Sequence, residues 1–210
     1  MEQKVLIFDC GCCGAVLEQR IKDALPVEVE RVVVEIGRDE SGRISAREGL
    51  YKQIERYIGM AEVIVIADPI LALTILADLR SRFLSQKFVG YEGNLDELTK
   101  GAREILILAP WALRRTEAYQ RMKARCEHVG ITEPDCEKWL QATKYRNRLT
   151  LPDLSNEIKI GVRVLVLNES LLEKRDRLEE IIGWRGELID FEEDITKKVQ
   201  KVCGLTKWVV

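Results

Sequence analysis

Four short apolar runs punctuate the chain: KVLIFD at 4–9, EVIVIAD at 62–68, EILILAP at 104–110 and RVLVLNE at 163–169. Each is rich in Val, Ile and Leu without strict alternation, the pattern of strands covered on both faces of a parallel sheet. Segments of helical period follow them, roughly at 15–25, 70–85, 113–128 and 171–183. Leu17, Ile21 and Leu25 fall on one face of the first; Leu172, Leu178 and Ile181 approximately share a face of the last. Strand alternating with helix predicts an α/β fold with parallel sheets and right-handed crossovers.

The pattern also repeats. Asp9 and Asp68 are 59 residues apart, and so are Pro110 and Glu169. Between each pair lies a further strand candidate, VEVERVVVEI at 27–36 and the weaker HVGITEP at 128–134. Two similar α/β halves are therefore expected. Ligands of open parallel sheets bind beyond the carboxyl ends of the strands. Those ends are Asp9-Cys10, Asp68-Pro69, Pro110-Trp111 and Asn168-Glu169, and a helix beginning near Ala112 directs Arg114, Arg115 and Thr116 to the same side.

Composition removes some function classes. Lys plus Arg is 33 and Asp plus Glu is 35, a net charge of −2, which argues against nucleic-acid binding driven by phosphate neutralisation. The longest apolar stretch, VIVIADPILALTIL, is broken by Asp68 and Pro69 and is too short to span a bilayer. Met1-Glu2-Gln3-Lys4 leads straight into a strand, so no leader is expected and a cytoplasmic location is. In that compartment six cysteines read as reduced thiols or metal ligands, not a disulfide framework.

Three of the six crowd one strand end, as Cys10, Cys12 and Cys13 in DCGCCG. They admit three readings. Cysteine packs as a small hydrophobe. Thiolates also suit zinc or an iron–sulfur cluster, and Cys10-x-x-Cys13 has a ligand-like spacing that Cys136 could complete from the other half. Such a cluster can also be shared with another chain, as in a cluster-bearing subunit. A thiol at a helix N-terminus is, thirdly, a reactive nucleophile or acid/base. Cys203 reads as structural and His128 as an exposed helix-end residue.

Taken in order, these segments resemble the aspartate/glutamate racemase superfamily, and glutamate racemases most. IFDCGCCG is similar to the family's opening F-D-S-G-x-G-G. VIVIADPILALTILADLR is similar to the strand and helix that carry its first catalytic cysteine. EILILAPWALRRTEAYQ, including Tyr119-Gln120, resembles the family's A-T-P segment, and ITEPDCEKWL its A-C-P-x-L. RVLVLNESLLEKRDRLEEIIG resembles the segment of its second catalytic cysteine, and ELIDFEEDITKKV its closing helix.

The resemblance implies two pseudo-symmetric parallel-sheet domains, residues 1–97 with 186–210 and residues 98–185, around an inter-domain cleft. It also makes a homodimer or protein complex an expectation. In the family two cysteine thiolates face opposite sides of the substrate α-carbon, one removing the proton and the other returning it. Here Asp68 holds the first cysteine position, and Glu169 the second, or Asn168 with a one-residue gap. A carboxylate near pKa 4 is about four units less basic than a thiolate near 8.5. Ordinary two-thiol glutamate racemisation is therefore not expected.

The leading expectation is a racemase-like protein with a metal or iron–sulfur site on Cys10, Cys12, Cys13 and Cys136. It would act on a small carboxylate-type ligand contacted by Asp9, Cys10 and Thr116, or serve as a cluster-bearing subunit. One alternative is a cofactor-independent isomerase or lyase that uses one of the three thiols with Asp68 and Glu169 as catalytic proton carriers. Another is a non-catalytic binding or assembly protein.

Overall fold

The computed structural model describes residues 3–11, 13–35, 47–91, 99–126, 128–135, 158–167, 171, 175–189 and 191–205. By its internal contacts the chain divides into two units, Met1–Gly93 with Asp190–Val210, and Asn94–Ile189.

In the first unit the strands are β1 (Lys4–Asp9), β2 (Glu28–Val33), β3 (Val63–Ile66) and β4 (Lys87–Gly90). They form one parallel sheet in the order β2-β1-β3-β4. The central strands β1 and β3 are buried almost throughout, which is why both read as unbroken apolar runs. The edge strand β2 is mostly exposed instead, with Val29 buried between exposed glutamates. Helix α1 (Cys13–Ala24) buries Leu17 and Ile21, with Leu25 beyond its end, and so uses the face its spacing predicted. Helix α2 (Arg47–Glu55) buries Leu50, Tyr51 and Ile54.

The long apolar stretch splits at Asp68 into strand β3 and helix α3 (Pro69–Arg82). Asp68 is the N-cap, accepting a hydrogen bond from the Leu71 amide at 2.5 Å, and Pro69 opens the helix where a missing N–H costs nothing. The last helix, α7 (Phe191–Val202), returns to this unit and packs on α1 and β4 through Phe191, Ile195 and Val199.

The second unit repeats the plan. Its strands β5 (Glu104–Leu108), β6 (Gly130–Thr132), β7 (Val162–Val166) and β8 (Gly186–Leu188) are parallel in the order β6-β5-β7-β8. Replacing each strand by its counterpart reproduces the first sheet. Gly186–Leu188 pair with β7 and so lie in this second sheet.

The single helix expected over 113–128 is two: α4 (Trp111–Arg114) and α5 (Glu117–Ala124). Thr116 separates them as the N-cap of α5. Helix α6 (Arg175–Ile182) covers β7 and β8 with Leu178 and Ile182 at its buried positions; Ile181 is only partly buried, and Leu172 lies outside the described residues. A core cluster joins Leu106, Leu108, Val162, Val164, Val166, Leu171, Leu178 and Ile182. No helix among the described residues is long and apolar enough to cross a membrane.

Candidate functional site

In a sheet of order 2-1-3-4 the chain leaves β1 towards one edge and β3 towards the other. The crevice at the carboxyl ends of those two strands is the switch point where such folds place ligands. Asp9 and Cys10 stand at the end of β1, and Asp68 at the end of β3. Phe8 and Ile66 are register partners, and the Ala67 amide donates to Phe8 O at 2.9 Å, so the two strand ends lie side by side.

Three groups stand at these two strand ends. The Cys10 thiol donates to Asp68 Oδ2 at 2.6 Å. The other oxygen of Asp68 accepts the Leu71 amide, and the N-terminus of α3 favours the anionic form of a carboxylate held there. Asp9 is fully buried, as is Asp68, whereas Cys10 is partly exposed. Asp9 Oδ1 accepts the Gly11 amide at 3.0 Å, closing an Asx turn that aims the chain into α1. Its Oδ2 receives Arg31 Nη1 at 3.4 Å from the neighbouring edge strand.

Gly14 makes this arrangement sterically feasible. A Cβ on Gly14 would come within 2.5 Å of Asp9 Cβ and 2.7 Å of Asp9 Oδ2. The first turn of α1 is thus seated directly on the Asp9 side chain. Arg31 was not singled out in the sequence; its signal was a cation within a mostly exposed edge strand.

The equivalent end of β5 carries a different chemistry. Arg114 donates from Nε to Ala109 O at 2.9 Å, from Nη1 to Glu133 O at 3.1 Å, and from Nη2 to Pro134 O. One guanidinium therefore ties the end of β5 to the segment after β6. The Glu133 carboxylate accepts from the Tyr119 hydroxyl and from Lys123 Nζ. Burial pushes the Glu133 pKa up, but hydrogen bonds from Lys123 and Tyr119, with the charges of Lys123 and Arg114, hold it below the ordinary glutamate value. Sequence reasoning did not assemble this network, because its members are spread over α4, α5 and the segment after β6.

Thr116, expected to contact ligand, uses both functions of its hydroxyl locally: it accepts the Tyr119 amide at 3.2 Å and donates to Leu113 O at 2.8 Å. Trp111 is half exposed beside Pro110, with the Arg115 guanidinium 4.0 Å from its ring centroid.

Of the expected metal ligands, Cys10 is described and hydrogen-bonded to Asp68. Cys12, Cys136 and the Cys13 side chain lie outside the described residues, as do Asn168 and Glu169. Among the described residues no group of three or more His, Cys, Asp or Glu is disposed to hold a metal ion. Cys126 and Cys203 are buried; the Cys126 sulfur lies 3.8 Å from Met122 O. Burial, with the nearby charge of Glu62, pushes the Cys203 thiol pKa up. His128 is exposed.

No family profile matches the chain by sequence, and no curated protein sequence does. Solved structures do match it over nearly its full length. Glutamate racemase from Campylobacter jejuni superposes with a TM-score of 0.74 at 14% identity, covering 99% of this chain and 88% of that one. Glutamate racemase from Francisella tularensis, in complex with D-glutamate, gives 0.73 at 12% identity over 97% of this chain and 81% of that chain. The Escherichia coli enzyme gives 0.71 at 15% identity over 100% and 85%. The chain has a glutamate racemase-like fold. At these identities the likeness is one of architecture. It accounts for two parallel sheets of the same strand order.

Proposed function

We propose that this racemase-like chain moves protons at the carbon next to a carboxylate in a small acid, with Cys10 and Asp68 acting as one acid/base unit. The observation that carries the reading is the 2.6 Å hydrogen bond from the Cys10 thiol to Asp68 at the switch point of the first sheet. A thiolate near pKa 8.5 is the stronger base and the better match to a weakly acidic carbon, whereas a carboxylate near 4 alone is about four units weaker. Cys10 then exchanges a proton with the substrate carbon, and Asp68 accepts and returns the thiol proton. By the resemblance, position 68 is where the racemases carry their first thiol. In this reading the thiol and the carboxylate serve the same corner of the site from neighbouring strand ends.

Glu169 is proposed as a second proton carrier on the strength of the resemblance alone. Asp9 acts as a positioning residue, since its contacts to Gly11 and Arg31 fix the turn bearing Cys10. The substrate class is a small amino or related acid.

The test is proton–deuterium exchange, followed by NMR in D2O, on D- and L-glutamate, D- and L-aspartate and a panel of other small carboxylates, under reducing conditions. Wild-type protein should exchange the α-hydrogen of at least one, and Cys10→Ala should lose it by about 100-fold or more, the usual weight of a positioned acid/base. Exchange that survives in Cys10→Ala, or none across the panel, overturns the assignment. Zinc, or iron with sulfide, in stoichiometric amount after anaerobic purification would overturn it too and favour a cluster on Cys10, Cys12, Cys13 and Cys136.

A further inference from the structure

The second unit has a ligand pole of its own. Strand β5 holds in its sheet the place that β1 holds in the first, so the carboxyl ends of β5 and β7 mark the second switch point. Trp111 stands just beyond the end of β5, half exposed, and the Arg115 guanidinium lies over its ring, 4.0 Å from the centroid. Arg115 is itself exposed. A guanidinium held over an indole keeps its edge N–H groups open to an incoming acceptor. The ring also restrains a side chain that otherwise loses much rotamer freedom on binding.

The charges around Arg115 are already matched to other groups. Glu117 pairs with Arg121 at 3.3 Å, and Glu133 takes Lys123 and the Tyr119 hydroxyl. Arg114 is turned to the carbonyls of Ala109, Glu133 and Pro134, which fixes α4 to the end of β5. Among the described residues Arg115 has no carboxylate partner. Thr116, expected to meet a ligand, has its hydroxyl taken up by Leu113 O and the Tyr119 amide. The cation at this pole that lacks an acid is therefore Arg115, and it is held on a fixed turn.

We propose that Arg115, seated on Trp111, binds the carboxylate of a small acid as a site of the second unit. The planar fork of a guanidinium matches the two oxygens of a carboxylate. The choice of a carboxylate over other anions rests on the proton-transfer reading, whereas the place of binding rests on the second unit alone.

The experiment titrates the full ¹⁵N-labelled chain with succinate at fixed ionic strength and follows the indole N–H signals by NMR. Trp111→Phe identifies the signal of Trp111. That signal should shift saturably with succinate and stay in place with sodium chloride. Arg115→Gln should weaken binding by about tenfold or more, the weight of a hydrogen bond to a charged group. Arg115→Lys, which keeps the charge without the fork, should recover only part of the loss. Arg177→Gln, at an exposed arginine of α6, should leave binding unchanged. Circular dichroism on each variant separates these effects from misfolding. The proposal is overturned by the absence of a saturable shift, by a shift that sodium chloride reproduces, or by one given by phosphate and not by succinate. A shift that survives in folded Arg115→Gln overturns it too. Succinate binding at Arg115 with no hydrogen exchange on any acid would remove the proton-transfer reading alone. Exchange that is lost in Cys10→Ala, beside a silent Trp111 signal, would remove the Arg115 site alone.

Discussion

At the scale of single residues, a missing methyl group matters as much as any functional atom. Gly14 lies against the Asp9 side chain so closely that a Cβ there would fall 2.5 Å from Asp9 Cβ. Neither side can give way easily, since Asp9 is fully buried and anchored to the Gly11 amide. Gly14→Ala should therefore destabilise the protein by about 1–3 kcal/mol, the range for overpacking a close-fitted site. Urea unfolding would measure it, and a change under about 0.5 kcal/mol would mean the turn relaxes freely. Asp68 shows how residue-level reading reaches only part of a role. Its position after an apolar run marked it as a strand-end acid, and its place before Pro69 is legible as a cap. That it also receives the Cys10 thiol is not, because that contact joins two strands.

At the scale of elements, short polar links decide where helices stop and how loops are held. The break between α4 and α5 follows from Thr116, whose hydroxyl offers the Tyr119 amide a cap that a continuous helix would not need. Helical period alone ran the two together. Glu133 then staples the segment after β6 to α5 through Tyr119 and Lys123. Because the folded pKa of Glu133 lies below its ordinary value of 4.5, its contribution is complete above that value and is lost as pH falls through the lowered one. Glu133→Gln should thus lower stability at neutral pH and flatten the acid limb of the stability profile below about pH 4.5. Urea midpoints collected from pH 7 down to pH 3 would check this; parallel curves for variant and wild type would refute it.

At the scale of the molecule, the two sheets share one strand order, and each unit has a switch point between its two central strands. The first unit is discontinuous in sequence: α7 comes from the end of the chain yet packs on α1 and β4. Removing residues 190–210 should uncover the apolar surface that Phe191, Ile195 and Val199 bury. Hydrogen exchange is expected to rise across β1–β4 while β5–β8 keep their protection. Equal loss in both sheets would show that the units do not unfold separately.

What the sequence by itself determined is the set of central strands β1, β3, β5 and β7 and the repeat that relates them. Strands buried on both faces must be apolar throughout, and that demand is written locally. The acid at position 68 was legible for the same reason, since it follows such a run directly. The fourth strand of each sheet, β4 and β8, went unread: four and three residues long, they borrow their definition from hydrogen bonds to β3 and β7. Only the tertiary structure decided which groups share a site. Cys10 and Asp68 are 58 residues apart in the chain, and it is the parallel register of Phe8 with Ile66 that brings thiol and carboxylate into contact.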